Sequence, residues 1–308
     1  MVTIVNRVAI LDLGTNTFHL LIADIRNNYI PEIVYQETIA VKLGEGGISK
    51  GYISNDAMER GIKALMKYKV CIDQFHPDQI KSAATAAIRS ASNGGAFIEK
   101  VKKITGIELE IIDGDLEAEL IYAGVRAAVE MEKTSLIIDI GGGSMELIIC
   151  DKRRIFWKKS YSLGAARLMD QFHHSNPISQ TEMKELYRYL DQNLADLKEQ
   201  LHIYKPELMI GSAGAFESFV KLQDTEFEPT FEKPEFILDI EKFHSINNML
   251  ITSTHEQRLQ MPQLIPVRVD MIVVASLLTK YILEICRPNA FKVSAYSLKE
   301  GILFGMVK

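Results

Sequence analysis

The chain has 308 residues, which is enough for two domains with sizeable hydrophobic cores. Apolar residues make up 47% and charged residues 24%, values that exclude a disordered or collagen-like chain. The net charge is −5 and no long block of Lys or Arg is present, so we expect no nucleic-acid partner and no attraction to an anionic membrane.

Three cysteines, Cys71, Cys150 and Cys286, lie far apart and form no CxxC pair. This spacing predicts neither a disulfide framework nor a cysteine-based zinc site. No segment approaches the roughly 18 consecutive apolar residues that a membrane span requires. We therefore expect a cytoplasmic protein.

An internal repeat is the clearest feature of the chain. Residues 9–24 align without gaps with residues 136–151, and each copy consists of an apolar strand, an Asp, a turn of small residues and a second apolar strand. The pattern predicts two β-hairpins and a duplicated, two-lobed architecture. The identical pairs are Ile10/Ile137, Asp12/Asp139, Gly14/Gly141, Leu20/Leu147, Ile22/Ile149 and Asp24/Asp151.

Between the two hairpins, helical and strand-like patterns alternate, which favours an α/β lobe. Ser54 is a candidate N-cap for an amphipathic helix. The Ala-rich residues 82–89 and the apolar residues 107–112 are predicted as strands. Residues 97–104 are predicted as a helix, and Gly114 opens another that runs to about residue 130.

After the second hairpin, Ser179 and Glu182 form a capping-box pattern at the start of one long amphipathic helix that reaches Leu201. A strand follows from residue 208 into a glycine-containing turn, and residues 225–239 are predicted as a surface loop. The last residues, 290–308, are predicted as a strand and a short helix. The pair His173–His174 is interpreted as solvated.

The two hairpin turns have the composition of phosphate-binding loops. Glycines leave consecutive backbone N–H groups accessible, and the neighbouring Thr and Ser hydroxyls add donors. Asp12 and Asp139 each end the strand that enters a turn; carboxylates so close to a phosphate are favourable mainly when a divalent cation lies between them. No Walker A loop, GxGxxG, HExxH or GxSxG motif is present.

Nine short motifs follow one another along nearly the whole chain, at residues 12–20, 41–46, 84–93, 114–118, 139–146, 162–167, 211–214, 268–270 and 294–301. Together they resemble the exopolyphosphatase / guanosine pentaphosphate phosphohydrolase family in its short two-domain form. This family lies within the superfamily of actin, heat-shock proteins and sugar kinases.

The resemblance implies an α/β fold of two duplicated ribonuclease-H-like lobes, as in actin-like ATPases, with a cleft between them. Lobe one would span residues 1–126 with the first phosphate loop, and lobe two residues 127–308 with the second. The last helix is a candidate to cross back onto lobe one. A homodimer is expected by the same resemblance.

The resemblance also implies Mg²⁺-dependent hydrolytic release of terminal phosphate from inorganic polyphosphate or guanosine pentaphosphate, with K⁺ as a candidate activator. Glu117 matches the family's catalytic glutamate and would take a proton from the attacking water; taken alone, it is an ordinary first-turn Glu favoured by the helix dipole. Asp139, Glu146 and Asp12 are the expected metal ligands. The expected phosphate-binding residues are Gly14, Thr15, Asn16, Thr17, Arg89, Gly141, Gly142, Gly143, Ser144, Gly211, Ser212 and Gly214.

Some positions depart from the family pattern. His19 stands where many members have Arg, Met145 replaces a Thr beside Ser144, and Ala215 replaces a Thr after Gly214. Two other functions therefore stay open. One is an ATP-dependent kinase or ATPase of the same fold, with residues 211–214 in a nucleoside pocket. The other is a non-catalytic sensor of polyphosphate or the guanosine alarmone.

Overall fold

The computed structural model describes residues 5–26, 30–226 and 230–307. Strands alternate with helices along the chain. The strands are β1 (Val5–Leu13), β2 (Thr17–Arg26), β3 (Glu32–Ala40), β4 (Gln79–Ala84), β5 (Ser135–Ile140), β6 (Met145–Cys150), β7 (Ile155–Tyr161), β8 (Leu208–Ser212), β9 (Glu235–Ile237) and β10 (Ala290–Ser294). The α-helices are α1 (Asn55–Phe75), α2 (Ala86–Arg89), α3 (Gly94–Thr105), α4 (Gly114–Ala128), α5 (Ala165–Phe172), α6 (Gln180–Asn193), α7 (Ala195–Tyr204), α8 (Gly214–Gln223), α9 (Ile240–Thr252), α10 (His255–Leu259), α11 (Pro266–Val269), α12 (Ile272–Cys286) and α13 (Leu298–Gly305).

The strands form two sheets, one in the order β3-β2-β1-β4 and the other in the order β7-β6-β5-β8-β10-β9. Each sheet contains an antiparallel hairpin, β1–β2 or β5–β6, followed by a parallel neighbour, β4 or β8. This arrangement confirms the α/β class and the two predicted hairpins.

The chain divides into two compact units. The first comprises Met1–Ala127, Gly141–Gly143 and Ser297–Lys308, and the second comprises Ala128–Ile140 and Ser144–Tyr296. Helix α13 thus belongs to the same unit as the first sheet. The tip of the second hairpin also belongs to the first unit.

Each unit has its own hydrophobic core, which is formed by the regularly spaced apolar side chains of its helices and strands. In the first unit, the buried face of α1, which includes Ile62, Leu65 and Tyr68, packs in the same hydrophobic core as β1 and β2. Ser54 caps the start of α1 by accepting a hydrogen bond from the backbone N–H of Ala57. In the second unit, α12 is buried on nearly all sides, which explains the long apolar run that begins near residue 271.

The strand predicted over residues 82–89 is confirmed only for residues 82–84, and the strand predicted over residues 107–112 is wrong. Strand β4 ends at Ala84 because its partner β1 ends at Leu13; Thr85 then donates both its N–H and its hydroxyl to the Leu13 carbonyl, and α2 begins. Residues 107–112 make only an isolated bridge, Ala84 to Ile111. Alanine is a good helix former, so its content in residues 82–89 favoured the helix once strand pairing ended.

Two predictions in the second unit also need correction. The long amphipathic helix is broken at Leu194 into α6 and α7, where the Asn193 side chain donates to the Tyr189 carbonyl, a local bond that competes with the helix. The predicted loop over residues 225–239 contains β9, which pairs with β10 and whose Glu235 forms an ion pair with Lys292. Residues 227–229 lie outside the described part.

Within the described ranges, no helix combines the length and the hydropathy that a membrane crossing requires.

Glycines allow α13 to contact α4 directly within the first unit. A Cβ on Gly301 would lie 1.8 Å from the Leu120 carbonyl oxygen, and a Cβ on Gly124 would lie 2.2 Å from the Ser297 carbonyl oxygen. No side chain fits at either position, so the two backbones approach as closely as glycine permits.

We expect Gly301→Ala to lower the free energy of unfolding by about 2 kcal/mol or more, because the new methyl group forces the helices apart. Gly305→Ala, one helical turn later, is the matched control: a Cβ there meets nothing within 4 Å, and alanine is the better helix former. Urea denaturation of both variants measures the difference. An equal effect of the two substitutions would contradict the described packing.

Candidate functional site

The first glycine-rich loop connects β1 to β2 and is held by the protein's own backbone. The Gly14 N–H donates to the Thr17 carbonyl at 3.1 Å, which closes the turn. The Asn16 carbonyl accepts from the N–H groups of Val41 and Lys42, both at 2.9 Å. The segment that follows β3 therefore holds the first glycine-rich loop in place through these two hydrogen bonds.

The tip of the second hairpin packs against this first loop within the first unit. A Cβ on Gly142 would lie 2.2 Å from Asn16 Nδ2, and a Cβ on Gly143 would lie 2.8 Å from Thr15 Oγ1. Both glycines are thus required by the close approach of the two loops. The structure brings together four of the predicted phosphate-binding residues, Thr15, Asn16, Gly142 and Gly143.

The two hairpins have the same register. Asp12 pairs with His19, and Asp139 pairs with Glu146, an offset of 127 residues at both positions. On the third strands, His19 pairs with Thr38, and Glu146 pairs with Ser160. The duplication seen in the sequence is therefore a duplication of side-chain positions across the sheets.

In the second sheet, these positions form a polar row across four strands: Ser212, Asp139, Glu146 and Ser160, which we call the acidic row. Cross-strand partners project from the same face of a sheet, so the two carboxylates lie side by side. Asp139 is 5% exposed and Glu146 1% exposed. The Ser160 hydroxyl donates to Glu146 Oε1 at 2.7 Å.

The corresponding row of the first sheet has a different chemistry. His19, in the position of Glu146, is hydrogen-bonded through Nε2 to the Thr17 hydroxyl at 3.0 Å and through Nδ1 to the Thr38 hydroxyl at 2.9 Å. Asp12 therefore has an imidazole across from it where Asp139 has a carboxylate. The first row places hydroxyl groups around His19 beside the first glycine-rich loop, whereas the second row concentrates negative charge.

The acidic row fits a divalent cation. Like charges on directly opposite strand positions are destabilising unless something neutralises them. Mg²⁺ is commonly held by one or two carboxylates, with water and substrate phosphates completing its octahedron. The described ranges contain no cluster of three or more His, Cys, Asp or Glu side chains arranged to hold a metal.

Glu117 lies in the first turn of α4, buried to 6% exposure. Asp113 caps this helix by accepting from the Leu116 N–H at 2.8 Å. Arg89 Nη1 donates to Glu117 Oε2 at 2.7 Å and to the Ile112 carbonyl at 2.9 Å. The predicted catalytic carboxylate is thus fixed by a guanidinium that is anchored in turn to the backbone.

Arg89 was predicted as a phosphate ligand, and the structure pairs it with Glu117. Both described bonds use Nη1, whereas a guanidinium carries five N–H donors on three nitrogens. Contact between Arg89 and a phosphate therefore stays a prediction, and the positioning of Glu117 is its observed contact.

Close packing explains why the third glycine motif, residues 211–214, has glycine at positions 211 and 214. A Cβ on Gly211 would collide with the Phe216 ring at 2.2 Å, and one on Gly214 would collide with the Arg268 guanidinium at 2.3 Å. Arg268 donates to Glu217 at 2.8 Å. A phosphate role for Gly211, Ser212 and Gly214 stays a prediction, because core and side-chain packing already account for both glycines.

Ala213, inside the same motif, has a strained backbone, with φ 73° and ψ 175°. This region of φ/ψ space is essentially restricted to glycine and costs other residues of order 1–3 kcal/mol. Such strain persists only where the surroundings enforce it and is concentrated at functional sites. Ala213 directly follows Ser212 of the acidic row.

Sequence reasoning placed His173 in solvent, and the structure differs. Its Nδ1 is enclosed without a hydrogen-bond partner, and burial lowers the pKa of its imidazole. His173 lines a cavity of about 490 Å³ in the second unit together with His255 and Asp270, which are hydrogen-bonded at 2.8 Å. The residues after α5 approach α10 there, a long-range contact that local polarity could not reveal.

Comparison with known proteins places the chain in a family. The model of the Ppx/GppA phosphatase family matches residues 21–308. The chain therefore belongs to the Ppx/GppA phosphatase family.

Solved structures support this assignment. An exopolyphosphatase from Cytophaga hutchinsonii is 39% identical, with a TM-score of 0.93 over 98% of this chain and 99% of that one. The Aquifex aeolicus member of the Ppx/GppA family is 25% identical, with a TM-score of 0.82 over 98% and 97%.

A bifunctional 3-dehydroquinate synthase/phosphatase of Fusobacterium nucleatum is 29% identical over 301 residues. The match covers 90% of this chain and 43% of that relative. The chain thus spans less than half the length of this relative.

Sequence reasoning missed Ser160, Thr38 and Asp113. Ser160 and Thr38 lie on the third strands, outside the recognised motifs, and only strand register places them beside Glu146 and His19. Asp113 was detectable, because an Asp three residues before Leu116 fits an N-cap pattern.

We expect Ala213→Gly to raise the free energy of unfolding by about 1 kcal/mol, because relief of backbone strain exceeds the extra chain entropy of glycine in the unfolded state. Thermal and urea unfolding measure the change. Ala215→Gly, inside α8, is the control and should destabilise by about 1 kcal/mol, as glycine does in a helix. Destabilisation by both substitutions would contradict the strained conformation of Ala213.

Proposed function

We propose that the protein is an exopolyphosphatase that hydrolyses the terminal phosphoanhydride of inorganic polyphosphate with the help of Mg²⁺. The observation that carries this proposal is the buried Glu117 carboxylate, held at the start of α4 by Arg89. A carboxylate fixed in this way is suited to orient a water molecule and accept its proton.

Hydrolysis of a phosphoanhydride depends mainly on positioning and on neutralising charge at the phosphoryl oxygens. The glycine-rich loops would bind those oxygens through backbone N–H groups and the hydroxyls of Thr15, Thr17 and Ser144. The water oxygen bonds to the terminal phosphorus while Glu117 accepts the water proton. The bond to the bridging oxygen breaks, and the shortened polyphosphate leaves with that electron pair.

Asp139 and Glu146 would hold Mg²⁺, with the Ser160 hydroxyl fixing the orientation of Glu146. When bound, the cation supplies neutralisation of charge on the phosphoryl oxygens and a fixed reference for their positions. Asp12 is a further proposed ligand. Its imidazole neighbour, His19, gives the first row less negative charge than the acidic row has.

Guanosine pentaphosphate is a second proposed substrate, because it ends in the same phosphoanhydride group. The similarity to a protein described as an exopolyphosphatase from Cytophaga hutchinsonii, at 39% identity, supports polyphosphate as the first choice. K⁺ as an activator, a homodimer and a cytoplasmic location remain proposals that accompany the family.

Phosphate release tests the proposal. We expect release from long-chain polyphosphate with Mg²⁺, none with EDTA, and a loss of at least about 10²-fold in kcat for Glu117→Gln, the scale of a lost general base. Glu119→Gln is the matched control, because Glu119 lies on the same helix and is exposed whereas Glu117 is buried.

Parallel assays of phosphate release from guanosine pentaphosphate and ATP distinguish the proposed function from a sensor and from a kinase or ATPase. Tight binding of polyphosphate without release would support a sensor. Turnover of ATP alone would support the kinase or ATPase branch. Equal losses for Glu117→Gln and Glu119→Gln would overturn the assigned role of Glu117.

A further inference from the structure

We propose that Arg60 is a positioning residue for the first glycine-rich loop: its guanidinium orders and polarises the backbone groups that the loop directs at a phosphoryl group. Arg60 lies on α1, and its described contacts are with the segment that follows β3. The inference rests on the proposed function and deepens it, because it explains how one phosphate loop is kept ready for its ligand. Sequence reasoning gave Arg60 no role.

The segment that follows β3, residues 41–46, is called the anchoring segment here because it binds two successive carbonyl groups of the loop. The Asn16 carbonyl accepts from the N–H groups of Val41 and Lys42. The Thr15 carbonyl accepts from the Gly44 N–H at 3.1 Å. A Cβ on Gly44 would lie 2.6 Å from Thr15 Cγ2, so glycine is required for this close contact.

These hydrogen bonds determine where two N–H groups of the loop point. The Thr15 carbonyl shares a peptide group with the Asn16 N–H, and the Asn16 carbonyl shares one with the Thr17 N–H. Both peptide groups are trans, and in a planar trans peptide the carbonyl and the N–H point in opposite directions. Both N–H groups are therefore directed away from the anchoring segment. Successive N–H groups directed to one side of a turn favour an anion.

Arg60 contacts the other end of a peptide group that holds the loop. Its Nε donates to the Val41 carbonyl at 2.8 Å, and its Nη2 donates to the Lys42 carbonyl at 2.9 Å. The Val41 carbonyl and the Lys42 N–H belong to one peptide group, and that N–H donates to the Asn16 carbonyl. The guanidinium and the loop are thus joined by an unbroken chain of hydrogen bonds.

The charge of Arg60 polarises this chain toward the loop. A charged donor forms a stronger hydrogen bond than a neutral one, and each bond in a chain strengthens the next. The guanidinium therefore makes the Lys42 N–H a better donor to Asn16, and through Asn16 it makes the Thr17 N–H a better donor to a phosphoryl oxygen. Glu45 accepts from Arg60 Nη2 at 2.7 Å and opposes this effect, because its charge partly neutralises the guanidinium.

The test compares Arg60→Gln, which removes the charge, with Arg60→Lys, which keeps it, and the unfolding of each variant is checked. For Arg60→Gln with Mg²⁺ we expect KM for polyphosphate to rise about tenfold, the effect of one hydrogen bond to a charged group. The kcat value should change little, because the loop binds substrate and transition state alike. Arg60→Lys should recover most of the lost affinity. Lys63→Gln, which removes an exposed cation from the same helix, is the matched control and should leave KM unchanged.

Glu45→Gln provides a readout that a merely structural role of Arg60 would not move. This substitution leaves both carbonyl contacts of Arg60 in place and removes the charge that opposes the guanidinium. The KM value should therefore fall about twofold, the scale of an exposed ion pair. The same substitution in the Arg60→Gln protein should have no effect.

An equal rise of KM in Arg60→Gln and Arg60→Lys, or an effect of Glu45→Gln that persists in the Arg60→Gln protein, would overturn the proposal. Binding of long-chain polyphosphate to the Glu117→Gln protein, with and without Arg60→Gln, separates this inference from the proposed function. If the wild-type protein releases no phosphate, the proposed function fails, whereas a Kd that rises about tenfold in Arg60→Gln still supports the role of Arg60. An unchanged Kd, or no binding to either protein, overturns that role.

Discussion

The antiparallel register of the two hairpins is the constraint on which the site depends. Side chains of a strand alternate between faces, so a slip of one residue would carry Asp139 and Glu146 into the hydrophobic core and move Leu147 out of it. The packed interior resists such a slip, because Leu147 and its neighbours on that face are fully buried. Hydrophobic packing on one face of the sheet thus fixes the carboxylates on the other.

Duplication followed by divergence explains how two similar hairpins contribute differently. Both keep an Asp at the end of the first strand and a small-residue turn after it. The residues that pair with these two aspartates on the second strands differ. His19 is hydrogen-bonded to two hydroxyls, whereas Glu146 adds a second buried carboxylate. Under the proposed function, the first hairpin would position phosphate and the second would share a cation with it.

Glu117 adds a third element, since it comes from a helix and not from a hairpin. An uncompensated buried carboxylate is costly, and the Arg89 guanidinium supplies both a charge and a hydrogen bond. The same contact fixes the carboxylate in one orientation, which the general-base role proposed for Glu117 would require.

The sequence was sufficient to predict the two hairpins, their small-residue turns and the α/β class, because they rest on local periodicity and glycine content. Strand ends were predicted less well: β4 stops at Ala84 only because β1 stops at Leu13, a long-range fact. The Arg89–Glu117 contact spans 28 residues of sequence, and the pairing of Glu146 with Ser160 depends on strand register. Such contacts follow from tertiary packing and leave no local pattern.

The most direct test of the account is the Mg²⁺ dependence of phosphate release from polyphosphate in Glu146→Gln, with His19→Gln at the duplicated position as the comparison. If the acidic row holds the cation, the Mg²⁺ concentration for half-maximal rate should rise at least about tenfold in Glu146→Gln. It should stay unchanged in His19→Gln, whatever that substitution does to kcat. An unchanged Mg²⁺ requirement in Glu146→Gln, or an equal shift in both variants, would contradict the account.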